Sequence, residues 1–283
     1  MIDVDKTRCD GQVLDLNHAA PFARATDIRM GDYHDCKDAA IIVFAAGKNQ
    51  KPGQSRMELL KANANIIRGI MTEVAKYTQD SIVIMATNPV DVLTWVAWKA
   101  SGFPKERVIG SGTMLDTARL RLVVGHHFEI DPGSVHVDIV GEHGESELAL
   151  WSEAHIAGVP FDDYCQRSGQ GNDIEAIKET TFAKTKGAAG NIIEKKGVTD
   201  FAIAATMVKL IEIILRDEHT ITTVSTAGKY AGVNDCAISI PRKLNRTGAH
   251  PVSMTEWPMD EREQREFQES AKSIGENIDK IKW

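Results

Sequence analysis

Two uninterrupted apolar runs, AAIIVFAA (39–46) and SIVIMAT (81–87), constrain this chain more than any other feature. Each is short, rich in β-branched residues and free of polar alternation, so each reads as a strand covered on both faces. A helical pattern follows each run. Over 55–77, Met57, Leu60, Ile66, Ile67, Ile70 and Val74 share one broad apolar stripe, and VDVLTWVAWKASG follows the second run. A brief strand at 107–110 and a second long helix at about 114–126 extend the alternation, which predicts an α/β fold built on a parallel sheet.

The texture changes after residue 130. Segments 135–140 and 147–151 read as strands, 173–196 as a polar helix and 201–215 as an apolar one. Segments 220–227 and 236–240 read as antiparallel strands. Phe267, Ala271, Ile274, Ile278 and Ile281, at 4-3-4-3 spacing, mark a closing amphipathic helix. A parallel first half and an α+β second half suggest two units with a cleft between them, divided near residue 110, with the 201–215 helix packing back on the first.

The 283 residues suffice for one large or two ordinary cores, and 42% apolar with 26% charged residues is a globular composition. A net charge of −7 argues against nucleic acid as partner and offers no polybasic membrane patch, while local arginines could still bind a small anion. With no apolar run near 18 residues and no signal pattern, neither spanning nor export is expected. Cys9, Cys36, Cys165 and Cys236 are scattered without CxxC spacing, so a reduced, cytoplasmic protein without a metal is expected.

Four stretches carry candidate chemistry. AAGKNQKPGQSR (45–56) leaves a strand end, where α/β sheets bind ligands, and is otherwise an ordinary surface loop. In ATNPVD (86–91), Asn88 either faces a ligand or caps the next helix with Pro89 in its first turn. In GSGTMLDTARLR (110–121), Thr113 and Asp116 have capping-box spacing, while Asp116 and Arg119 share one helix face. Arg121 lies about 200° from Arg119 and cannot serve the same site. In DIVGEHGESEL (138–148), His143 stands between two glycines at a strand end, either as a proton donor or as a simple cap.

NQKPGQSR, ATNPVDV, GSGTMLDTARLR and VGEHGES, with IDV at the start and KKGVTDFAIA at 195–204, together resemble the bacterial L-lactate dehydrogenases of the lactate/malate dehydrogenase family over essentially the whole chain. The resemblance implies a Rossmann-like parallel sheet over 1–110, an α+β substrate domain over 111–283, and NAD-dependent interconversion of pyruvate and L-lactate. It implies that His143 is the proton donor and acceptor, and that Asp116 orients its ring. Arg119 would grip the substrate carboxylate in a fork that lysine cannot supply, and Arg56 would polarise the carbonyl. Asn88 and Thr199 would border the substrate. Asp3, Gly47, Asn88, Ser111 and Ile203 would border the cofactor. Gln50 stands where the malate branch has an arginine for a second carboxylate. Oxaloacetate would bury an unpaired charge there, at about 3–5 kcal/mol, which favours lactate over malate or another 2-hydroxy acid. Arg121 and His136 match residues that bind fructose 1,6-bisphosphate between subunits, which implies an activated homotetramer; otherwise they are a solvated arginine and a strand histidine.

The chain departs from the family in two places. The GxGxxG turn between a first strand and first helix is absent; glycines at 110–112 and 169–171 do not follow an N-terminal strand. MIDVDK reads as the tail of a strand, so the chain is expected to start about 30 residues late. A catalytically inactive form unable to bind NAD is the corresponding alternative. Glu145 replaces the usual aspartate after His-Gly, and a tuned histidine is the expected effect.

Overall fold

The computed structural model describes residues 1–23, 26–48, 53, 55–169, 173–252 and 257–281. In the first half, strands β1 (Ile41–Phe44), β2 (Ile82–Met85) and β3 (Val108–Gly110) alternate with helices. Helix α1 (Lys6–Ala19) precedes them, α2 (Arg56–Val74) and α3 (Val90–Ser101) lie between them, and α4 (Met114–Phe128) follows. The second half holds β4 (Val135–His136), β5 (Ile139–Gly141), β6 (Glu147–Ala149), β7 (His155–Ile156), β8 (Val159–Pro160), α5 (Phe161–Arg167), α6 (Ile174–Lys196), α7 (Phe201–Leu215), β9 (Thr220–Tyr230), β10 (Val233–Asn245), β11 (Gly248–His250) and α8 (Glu261–Ile281).

Among the described residues one eight-stranded sheet runs through both halves in the order β1-β2-β3-β9-β10-β5-β6, with β11 on β10. β1, β2 and β3 are parallel, and the remaining pairings are antiparallel. The apolar run of β2 is explained by its two covers. Val83 and Met85 pack with Leu60, Ile67 and Met71 of α2, Leu93 of α3 and Ile274 of α8. Ile82 and Ile84, on the other face, pack with Met207, Leu210, Ile213 and Ile214 of α7. A further cluster joins Leu120, Val124 and Phe128 of α4 to Val135, Ile156, Phe161 and Ile177.

Several expectations are corrected. β1 is not covered on both faces: it ends the sheet, and Val43 is 42% exposed. Residues 1–5 form no strand; Met1 pairs with Gly31, and Asp5 caps α1, a helix without a marked apolar stripe. The 135–140 segment splits between the eight-stranded sheet, which takes β5, and a three-stranded one in the order β4-β7-β8; between them Arg121 Nε donates to the Val137 carbonyl at 3.1 Å and interrupts the ladder. The 147–151 strand stops at Ala149, and Trp151–Glu153 is a 3-10 turn. β9 and β10 run beyond the expected 220–227 and 236–240, because an Ala231-Gly232 turn, both residues at positive φ, closes them into a long hairpin. No helix among the described residues is long and apolar enough to cross a membrane.

Candidate active site

Local chemistry sets the start of each helix that feeds the site. Ser55 caps α2 by accepting the Glu58 N–H, and the Glu58 carboxylate accepts the Ser55 N–H at 2.9 Å, so Arg56 is fixed as the first helical residue. α3 starts after Pro89, with no side chain on its first amides, so Asn88 is not its cap. Thr113 does not cap α4 either; its hydroxyl donates to the Ile139 carbonyl, tying the start of α4 to β5. With no capping duty, Asp116 faces inward.

The His143 loop leaves β5 at Gly141, whose φ of 93° is left-handed and where a Cβ would lie 2.9 Å from Ser270 Oγ of α8. Glu142 N–H donates to that hydroxyl at 2.7 Å, and His143 N–H donates to Asp91 Oδ2 of α3 at 2.7 Å. The loop is therefore pinned by two helices, and the ring is directed at α4. His143 Nδ1 lies 2.6 Å from Asp116 Oδ2, and Arg119 Nη1 donates to Asp116 Oδ1 at 2.9 Å. Asp116 is 3% exposed, while the side chains of His143 and Arg119 keep 24% and 14% of their surface open to solvent.

Burial alone would push the imidazolium to lose its proton. The hydrogen bond and charge of Asp116, joined by the charges of Asp91 and Glu147, reverse that and raise the pKa from 6.5 to about 9. Glu147, on β6 opposite Gly141, is a third acid that the sequence did not single out. Its carboxylate, that of Asp116 and a ring nitrogen of His143 lie within 4.8 Å of one another. Burial first, then the Asp116 charge, raise its pKa, against the pull of His143, Lys186 and Arg119.

The remaining candidates are less tightly joined. Arg56 is exposed, its guanidinium 3.6 Å from the Glu145 carboxylate two residues beyond His143. Asn88 is exposed, and its carbonyl accepts from Asn63 Nδ2 at 3.4 Å. Buried Asn63 also accepts the Lys48 N–H at 2.8 Å, so one amide clips together the loops after β1 and β2. The signal for it was a polar residue between Leu60 and Ile67 on an apolar helix. Ser111 is buried at the end of β3, its N–H on the Met85 carbonyl, and Thr199 is half-buried between α6 and α7. Ile203 is partly buried against the cluster that holds Ile82, Ile84 and Ile109. Asp3 is exposed and its carboxylate accepts the Asp5 N–H. Arg121 donates to Asp138 at 2.7 Å, and the charge of exposed His136 acts on the same carboxylate. Gln50 lies outside the described residues.

The loops after β1 and β2 meet at the carboxyl ends of parallel strands, where an α/β sheet would hold a dinucleotide. A Cβ on Gly47 would come within 2.6 Å of Thr87 Cγ2 and 3.5 Å of the Asn63 amide, so the loop after β1 can pass this close to the end of β2 only without a side chain.

A protonated imidazole can deliver a proton to a carbonyl oxygen while the neighbouring guanidinium holds the adjoining carboxylate, which is the task of an NAD-dependent dehydrogenase of small 2-hydroxy acids. Residues 1–110 match the family description lactate/malate dehydrogenase, NAD binding domain, and residues 113–283 match its alpha/beta C-terminal domain. The chain belongs to the lactate/malate dehydrogenase family. A probable L-lactate dehydrogenase of Schizosaccharomyces pombe is 49% identical over 281 residues, 99% of this chain and 84% of that protein. L-lactate dehydrogenase 1 of Clostridium acetobutylicum is 41% identical over 99% of this chain and 89% of that protein. Two crystal structures superpose with a TM-score of 0.93: a lactate dehydrogenase from a Medee basin deep-sea metagenome library, 36% identical, and the minor L-lactate dehydrogenase of Enterococcus mundtii, 33% identical. They cover 100% and 99% of this chain, and the chain covers 90% and 89% of theirs.

Proposed function

We propose that this chain is an L-lactate dehydrogenase, interconverting pyruvate and L-lactate with NAD as cofactor. The convergence of His143 and Arg119 on the Asp116 carboxylate carries the reading. Reduced NAD, when bound, would supply the hydride to the substrate carbon. The chain supplies the rest. Arg119 holds the substrate carboxylate, and the protonated His143 ring donates through Nε2 to the carbonyl oxygen. Asp116 at Nδ1 fixes the tautomer and offsets the ring charge. Arg56, 3.6 Å from Glu145 at the mouth, polarises the carbonyl as charge builds on it. Asn88 and Thr199 border the substrate; Asp3, Gly47, Asn88, Ser111 and Ile203 border the cofactor. Residues 1–110 serve as the cofactor half and 111–283 as the substrate half.

Gln50 supports lactate over malate, because no cation stands at that sequence position to pair a second carboxylate. With NADH, pyruvate is expected to be reduced at least a hundredfold more efficiently than oxaloacetate, from a penalty of about 3–5 kcal/mol. A preference for oxaloacetate would overturn the assignment. The same proposal includes a cytoplasmic homotetramer activated by fructose 1,6-bisphosphate. Arg121 and His136, which flank Asp138, would supply cations to the effector phosphates. Light scattering and the pyruvate KM at millimolar effector test it; a monomer, or unchanged kinetics, would remove that part.

A further inference from the structure

Asp91 is a second buried carboxyl behind His143, and no step above employs it. It sits in the first turn of α3, 2% exposed, among buried Val90, Val92, Leu93 and Trp95. A carboxylate is costly to bury in such surroundings, and a side chain present only for packing would be apolar. Its two oxygens serve different elements. Oδ2 accepts the His143 N–H at 2.7 Å, and Oδ1 lies 3.5 Å from Ser239 Oγ on β10. That same hydroxyl accepts the Thr113 N–H at 3.2 Å, at the start of the helix that carries Asp116 and Arg119. One carboxylate thus stands where the histidine loop and the Asp116 helix meet.

We propose that Asp91 is a positioning residue for the reaction: its carboxylate fixes the His143 backbone and, through Ser239, the start of α4, and adds a second negative charge to the field at the ring. The inference rests on the reading of His143 as proton donor. The titratable groups facing Asp91 are His143 and Glu142 on the loop after β5 and Cys236 on β10, with the Ser225 hydroxyl beside them. Burial, then these neighbours, leave the Asp91 pKa at about 6, so at neutral pH the group is largely ionised and its charge is available to His143.

The test compares wild type with D91N, which keeps the shape and one acceptor but removes the charge. D91N is expected to fold, with kcat for pyruvate about tenfold lower and KM within about threefold. The alkaline limb should move down by about half a pH unit or more. A role in packing alone would lower Tm without moving that limb. NMR titration of the imidazole, assigned with H143Q, should show the His143 midpoint falling by a similar amount. Because this midpoint needs no turnover, a wild type that fails to reduce pyruvate counts against the proposed function, while the midpoint still decides Asp91. An unchanged midpoint with kcat/KM within about twofold of wild type overturns the inference. Should D91N not fold, S239A, which cuts only the link to α4 and keeps the charge, is expected to lower kcat about threefold with an unchanged midpoint. Wild-type kinetics in S239A would then overturn the positioning chain.

Discussion

His143 holds its proton because its neighbours outweigh its burial. With the pKa raised to about 9, the ring is charged at neutral pH, the form that must meet pyruvate. Reduction should be flat through neutrality and fall about tenfold per pH unit above about 9, whereas lactate oxidation, which needs the neutral ring, should rise towards the same pH. H143Q is expected to lose roughly a thousandfold in kcat. The sign for stability follows from the same shift. A folded pKa above the unfolded 6.5 means the stabilisation is complete below about 6.5 and is lost as pH rises through about 9. The Tm difference between wild type and H143Q should therefore shrink across that window. At Arg119, lysine keeps the charge but not the fork; R119K should lose about 1.4–2.7 kcal/mol in kcat/KM for pyruvate, about ten- to a hundredfold. Spacing made only the Asp116–Arg119 pair legible in the sequence; His143, 27 residues from Asp116, was legible through the motif that carries the family resemblance. Asp91, Asn63 and Glu147 were not, since each acts on a partner far along the chain or across a strand pair.

At the scale of elements, the apolar run of β2 and the helices 201–215 and 173–196 were legible because periodicity and composition report burial directly. The strand ends were less so. A single arginine contact at Val137 splits what reads as one strand, and β1 has a buried-strand composition at a sheet edge. Gly112 shows why the start of α4 resists substitution. Its φ is 54°, and a Cβ would lie 2.3 Å from Ser239 Oγ and 2.7 Å from the Ser225 nitrogen. G112A should cost about 1–3 kcal/mol in denaturant unfolding and lower kcat as well, because the displaced hydroxyl belongs to the chain joining Asp91 to Thr113.

For the whole molecule, the consequence of interest lies in its four cysteines, all free and all buried. Burial pushes Cys165 up to about 11 and Cys236 up to about 12, so the reactive thiolate is nearly absent in the native protein. Each thiol then times the opening of its own surroundings. Cys36 and Cys236 belong to the cluster beneath α2, α3 and α8, and Cys165 to the one beside α4, whereas Cys9 on α1 joins none of the three apolar clusters. Under mild denaturant, mass spectrometry after pulsed alkylation should find Cys9 modified first and the other three together with global unfolding. Simultaneous labelling of all four would mean that the amino-terminal helix shares the cooperativity of the sheet.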